Sequence, residues 1–148
     1  MTTVVKFHKT GGPEVLSVEN ALVGKPKRGE ARVRHTAIGL NYIDTYHRSG
    51  LYPLPLPTGV GLEGAGVVEA VGAGVTHVKV GDRVAYAGGP PGAYAQERVM
   101  PANKLVKIPK GVSDEDAAAM MLKGLTVHML IRRVYRVQKG ETVVFHAA

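Results

Sequence analysis

The stretch Gly59–Gly72, GVGLEGAGVVEAVG, decides how the rest of the chain is read. Gly61, Gly64 and Gly66 sketch a nucleotide-binding fingerprint, which needs a Gly-rich turn that follows a strand and opens a helix. Here the glycines run into a valine-rich strand, so the fingerprint fails its context. Working outward, the first hundred residues read as β-rich. Val4–His8, Ala31–Leu40, Gly66–Val71, Asp82–Ala87 and Ala93–Met100 are short valine-rich or alternating runs. They are separated by GGP (Gly11–Pro13), GKPKRGE (Gly24–Glu30) and GGPPG (Gly88–Gly92). This spacing predicts a small, partly closed β-barrel. Asn41–Arg48 is predicted as a short helical turn, because Ile43, Tyr46 and His47 recur at helical spacing. Val78–Arg83 reads as a strand entering a tight turn, with Gly81 free to take positive φ.

The pattern changes after Pro109. Ser113 followed by Asp114, Glu115 and Asp116 predicts an N-cap and an acidic first turn. Alanines and methionines extend that helix to Gly124. A second helix is expected over Thr126–Val137, with Leu130, Ile131 and Val134 on a buried face. Lys139–Glu141 reads as a turn, and Thr142–Ala147 (TVVFHA) as a continuous apolar strand of the kind buried in a parallel sheet.

At 148 residues, 45% hydrophobic and 21% charged, the composition fits a globular domain with a sizeable core. No run of about 18 uninterrupted apolar residues is present, so no membrane-spanning helix is expected. Lys6 and His8 interrupt the first strand, which does not have the design of a signal peptide. The absence of cysteine excludes disulfides and thiolate metal sites, and a cytoplasmic location is the default expectation. The net charge of +7 has two readings. Lys25, Lys27 and Arg28 suit a solvated loop, and Arg132, Arg133 and Arg136 suit a helix C-terminus, where the macrodipole favours cations. Alternatively the field attracts a phosphate-bearing cofactor or nucleic acid. No RNA-binding or helix-turn-helix motif accompanies the charge, and at 5% aromatic residues the chain has few stacking platforms.

The Gly59–Gly72 run together with NYID (Asn41–Asp44) resembles the catalytic-domain motifs of the medium-chain dehydrogenase/reductase superfamily. FHKTGGPEVL (Phe7–Leu16), AIGLNYIDTYHRSGLYP (Ala37–Pro53), GAYAQERVM (Gly92–Met100) and AAMMLKGLTVHMLIRRVY (Ala118–Tyr135) narrow the resemblance to its NADPH:quinone oxidoreductase, zeta-crystallin-like branch. The resemblance implies a mainly β fold with α: a GroES-like partly closed barrel plus the first helix and strand of a Rossmann domain. It implies a catalytic domain over 1–112, without its C-terminal closing segment, and a junction over 113–148. The chain is then expected to stop just before the Gly-rich turn that cradles the cofactor pyrophosphate. The family's zinc enzymes carry cysteine and histidine where this chain has Asn41 and Leu62. Zinc needs thiolate, imidazole or carboxylate donors, so the expectation is a zinc-independent reductase that uses NADPH.

The resemblance places Asn41, Tyr46, Tyr52 and Thr126 at the reacting centre. It places Tyr42, Ile43, Asp44, Thr45, Tyr46, Lys123 and Met129 against the cofactor. Relatives often carry tyrosine at the position of Met129. The residues alone leave other roles open: a helix N-cap for Asn41, a surface acid for Asp44, aromatic packing for Tyr46 and Tyr52, and a solvated helix-end lysine for Lys123. Glu63 matches the glutamate beside the zinc of metal-dependent cousins, and without metal reads as structural. His8, His35, His47, His77, His128 and His146 show no metal-ligand spacing. The expected acceptor is a quinone or another small electrophile, and a full-length protein is expected to be a homodimer. The rivals are an NADPH-dependent enone, enal or enoyl-thioester reductase, a basic RNA-binding module, and an inactive fragment.

Overall fold

The structure is a computed structural model that describes residues 1–146. Strand β1 (Thr2–Phe7) runs antiparallel to β2 (Leu16–Ala21), in register from Thr2 opposite Ala21 to Phe7 opposite Leu16. Its far end also pairs with β4 (Thr58–Gly59), giving the order β2-β1-β4. The second sheet has the order β7-β3-β5-β6-β8, with β3 (Glu30–Gly39), β5 (Glu63–Val71), β6 (Arg83–Ala87), β7 (Glu97–Pro101) and β8 (Val106–Lys107). All of its pairings are antiparallel. A bridge between Val4 and Ala95 links the two sheets. The predicted barrel is thus two sheets joined along one side.

Strand β3 shows why the sequence chooses this arrangement. Ala31 and Val33 point into the core while Arg32 and Arg34 point away, the two-residue period of a half-buried strand. Bulges between Arg32 and Val33 and between His35 and Ala37 shift the register against β5. Gly66 of β5 lies so close to β3 that an added Cβ would overlap the Arg34 carbonyl. Phe7, Val33, Val68, Val84, Tyr86 and Met100 form the large buried side chains.

Helix α1 (Tyr42–Ser49) follows β3 directly and ends at Gly50, whose φ of 88° gives the left-handed C-cap. Helix α2 (Asp114–His128) starts at Ser113, whose hydroxyl accepts the Asp116 N–H at 3.0 Å. Ala117 and Ala118 pack on Ala65 and Ala85 of the sheet, and small residues on both sides allow a close approach. The Asp114 carboxylate accepts from the Thr36 hydroxyl at 2.6 Å and the Arg83 guanidinium at 2.6 and 2.9 Å, which pins the start of α2 across β3 and β6.

Four expectations change. Ala93–Gln96 is not continuous with β7 but crosses between the sheets: Val5 N–H donates to Tyr94 O, and His35 N–H to Gln96 O, both at 2.8 Å. Val78–Asp82 is a turn rather than a strand, closed by the Asp82 N–H on Lys79 O at 3.1 Å, with Gly81 at φ 88°. Gly124 does not end the first helix, which runs on to His128 and passes into a π-helical segment at Met129–Val134. Leu130, Ile131 and Val134 there are exposed. Thr142–His146 is not paired into a strand, and Val143, Val144 and Phe145 are exposed. An apolar run becomes a strand only when another backbone takes up its N–H and C=O groups, and among the described residues none does. Ala147, the last residue of that expected strand, lies outside the described residues.

Candidate functional site

The end of β3, the start of α1, the start of β5 and the middle of α2 meet at one point. Gly39 makes this meeting feasible, since a Cβ there would overlap Ala118 O of α2 and lie 2.5 Å from Glu63 Oε2. Two residues on, Asn41 is buried at the N-cap position of α1, with its backbone N–H on Asp44 Oδ2 at 3.0 Å. Its side-chain amide points elsewhere. Nδ2 donates to Glu63 Oε2 at 2.6 Å, and Oδ1 accepts from Lys123 Nζ at 2.9 Å.

Glu63 is fully buried, and its other oxygen accepts the Leu122 N–H at 2.6 Å. Lys123 Nζ stands 3.7 Å from the same carboxylate and 3.4 Å from Leu40 O, while its side chain remains 58% exposed. A buried carboxylate is tolerable when it is hydrogen-bonded and a cation is near; here each Glu63 oxygen accepts one hydrogen bond and the Lys123 ammonium stands beside it. The network therefore presents the Lys123 ammonium at the surface, with the buried Asn41 amide behind it.

Asp44 is the second buried acid. Besides the Asn41 N–H, its Oδ2 accepts the Tyr94 hydroxyl at 3.0 Å. Burial first, and then the neighbouring Asp44 charge, holds the Tyr94 phenol well above its usual range, so it stays protonated. The Tyr94 ring lies against Gly61, whose φ of 91° and missing Cβ leave room for it. Among the described residues, Asp44 Oδ1 and His47 Nδ1 are buried without a hydrogen-bond partner.

On the outer face of α1 the rings of Tyr42, Tyr46 and Tyr52 form a row. The Tyr42–Tyr46 and Tyr46–Tyr52 centroids are each 5.3 Å apart in edge-to-face geometry. Tyr42 and Tyr52 are exposed. Ile43 is half-buried, and the Thr45 hydroxyl donates to Tyr42 O at 2.7 Å within the helix. A mostly apolar groove of about 540 Å³ opens beside the network, lined in part by Val4, Val5, His35, Ile38, Leu40 and Tyr94. Burial lowers the His35 pKa, so its ring is neutral at the groove wall, with Nε2 2.8 Å from the Tyr86 hydroxyl.

Of the residues expected at the site, Asn41, Asp44 and Lys123 come together in one network, and Tyr42, Tyr46 and Tyr52 form the adjoining ring row. Thr126 lies one turn beyond Lys123, exposed, with its hydroxyl donating to Leu122 O at 2.9 Å. Met129 opens the π-helical segment and is exposed at 48%. Neither side chain is hydrogen-bonded to Asn41 or to the tyrosines. Tyr94 and the Leu122 N–H carry no role in the sequence reading. The one signal for Tyr94 is Gly61, which leaves room for its ring. Glu63, read as structural, is the hub. The glycines of the opening stretch lie in or beside β5, with Gly64 opposite Ile38 and Gly66 opposite His35, which agrees with the failed fingerprint.

Residues 27–110 match the alcohol dehydrogenase GroES-like domain. The whole chain is 56% identical to a quinone oxidoreductase of Pseudomonas aeruginosa and spans 46% of that protein's length. Among solved structures, a quinone oxidoreductase of Pseudomonas syringae pv. tomato superposes with a TM-score of 0.92 at 56% identity, over 95% of this chain and 44% of that one. The Escherichia coli quinone oxidoreductase complexed with NADPH gives 0.90 at 50% identity, over 92% and 42%. The chain thus spans about half the length of the relatives it matches.

Proposed function

The chain belongs to the alcohol dehydrogenase GroES-like domain family, and from that premise we propose that it is the acceptor-side portion of an NADPH-dependent quinone reductase that works without metal. The carrying observation is that Asn41 and Lys123 meet on one buried acid, Glu63, at the start of α1, whose outer face carries the Tyr42–Tyr46–Tyr52 row. The similarity to quinone oxidoreductases over the whole chain supports the same reading.

The donor set fits the nicotinamide end of the cofactor. Lys123 offers an ammonium, Asn41 has unused hydrogen-bonding capacity on both amide atoms, and α1 offers ring faces beside them. Bound NADPH supplies the hydride, the chemistry that side chains cannot provide. Lys123 and Asn41 would hold the carboxamide-bearing ring. Tyr46 and Tyr52 would receive the flat acceptor, each combining an apolar ring with a hydroxyl that can reach an acceptor oxygen. Asn41 and Leu62 are not ligands of the type zinc needs, and the Lys123 ammonium is already paired with the Glu63 carboxylate. The cation that balances the buried acid is therefore the protein's own.

Steady-state NADPH oxidation by the full-length protein, measured with a benzoquinone and with an enone in parallel, tests the reading. Quinone-dependent turnover with a higher kcat/KM than the enone is expected. Turnover with the enone alone would transfer the site to the rival class of acceptors.

A further inference from the structure

We propose that Glu63 is a positioning residue, a buried carboxylate that fixes the direction of the hydrogen bonds through Asn41 to Lys123 and ties them to the backbone of α2. The inference deepens the functional reading above and rests on it for the identity of the bound groups. A carboxylate only accepts and an ammonium only donates. An asparagine amide lying between them therefore has a single stable orientation, with Nδ2 toward Glu63 at 2.6 Å and Oδ1 toward Lys123 at 2.9 Å. The opposite orientation would set N–H against N–H at one end and oxygen against oxygen at the other.

Glu63 has little freedom of its own. It is fully buried, it takes the Leu122 N–H at 2.6 Å, and Gly39 is the residue whose missing side chain leaves it space. The Leu122 bond joins β5 to the turn of α2 that carries Lys123. One side chain thus sets both the position of the helix and the orientation of the amide. The Lys123 ammonium then spends one N–H on Asn41 and faces Leu40 O at a long 3.4 Å, which leaves donor capacity toward solvent for a bound group.

Moving the charge along the hydrogen bond tests the idea. Glu63→Gln removes one of two required acceptors, so either Leu122 or Asn41 loses its partner. Asn41→Asp in the same background returns a carboxylate that can accept from both the introduced amide and Lys123. Two readouts are taken. The first is the side-chain amide resonance of Asn41 in the 148-residue chain, followed by ¹⁵N NMR in Glu63→Gln and in Lys123→Met, which takes the ammonium away from the Oδ1 end of the amide. The second is kcat and KM of the full-length protein, together with its Tm.

In both NMR variants the Asn41 amide resonances should move, and in Glu63→Gln their exchange with water should speed up. Glu63→Gln should lower kcat/KM roughly 10- to 100-fold, the range for losing a charge-assisted hydrogen bond, and the double variant should regain most of the Tm lost in Glu63→Gln, since its pairing replaces the original. Unmoved Asn41 resonances in Lys123→Met would overturn the proposal, even if Glu63→Gln failed to fold. So would a folded Glu63→Gln whose Tm the second substitution does not raise. The NMR readout needs neither cofactor nor acceptor, so the role of Glu63 is tested even in a protein that reduces no quinone.

Discussion

Replacing Gly39 with alanine puts a methyl group at the contact on which the whole site depends. Its Cβ would overlap Ala118 O of α2 and approach Glu63 Oε2 to 2.5 Å and Glu63 Cδ to 2.8 Å. None of these atoms is the free end of a mobile side chain. The Ala118 oxygen is helix backbone, and the Glu63 carboxylate is held by Leu122 and Asn41. Relief must come from moving α2 off the sheet, at the expense of the Ala117 and Ala118 packing on Ala65 and Ala85. Overpacking of this kind costs about 1–3 kcal/mol. For a chain of this length each kcal/mol lowers Tm by about 2–4 °C, so Gly39→Ala should lose roughly 4–8 °C at the middle of the range. Gly24→Ala serves as the control, because nothing lies within 4 Å of its added Cβ, and it should leave Tm unchanged or slightly raised. Thermal unfolding by circular dichroism, with hydrogen exchange at the Leu122 amide, reads both effects. Equal Tm values for the two variants would show that α2 is not seated on Gly39 and would refute the geometry of the site.

Three further outcomes can be checked. Asp114 is held below its usual carboxylate range by the Thr36 hydroxyl and then by Arg83. Its contribution to stability is therefore complete above the unfolded-state pKa and is lost as pH falls through the folded one. Chemical unfolding between about pH 5 and pH 2 should show a shallower loss of stability in Asp114→Asn than in the parent chain, and parallel slopes would contradict the Thr36–Asp114–Arg83 link. Tyr52→Ala in the full-length protein should reduce kcat/KM for quinones by about 2- to 12-fold, since one aromatic contact is worth about 0.5–1.5 kcal/mol beyond area burial; unchanged values would leave Tyr52 as packing only. Elemental analysis of purified protein should find less than stoichiometric zinc, and a chelator should leave activity intact.

Much of the β framework was legible because the chain punctuates itself. The Gly/Pro-containing run Gly24–Gly29 opens β3, and the alternation of Ala31 and Val33 with Arg32 and Arg34 shows its inner face. The start of α2 was equally plain from Ser113 and the acids after it. Its extent was not. An interior glycine costs a helix about 1 kcal/mol, but Gly124 comes after α2 is already fixed by Asp114, Ala117 and Ala118, so the helix runs through it. Thr142–His146 shows the opposite limit, since its strand propensity is local while strand formation needs a second backbone. At the site, Asn41, Asp44, Lys123 and the tyrosines were found through resemblance to NYID and LKGLT motifs. The roles of Glu63 and Tyr94 were hidden, because Glu63 meets Lys123 only when β5 and α2 converge, and Tyr94 is 50 residues from Asp44 in sequence. No local pattern encodes a partnership over that distance.

The most direct measurement is an NMR titration of the 148-residue chain with reduced nicotinamide mononucleotide, the half of the cofactor that these residues would hold. Because the adenylate half is missing, binding is expected only at millimolar concentration. The expected result is a set of saturating shifts confined to the amides of Tyr42–Tyr46, the Asn41 side chain and Lys123. Saturating shifts centred elsewhere, or none at Asn41 and Lys123, would contradict the assignment of this network as the nicotinamide site.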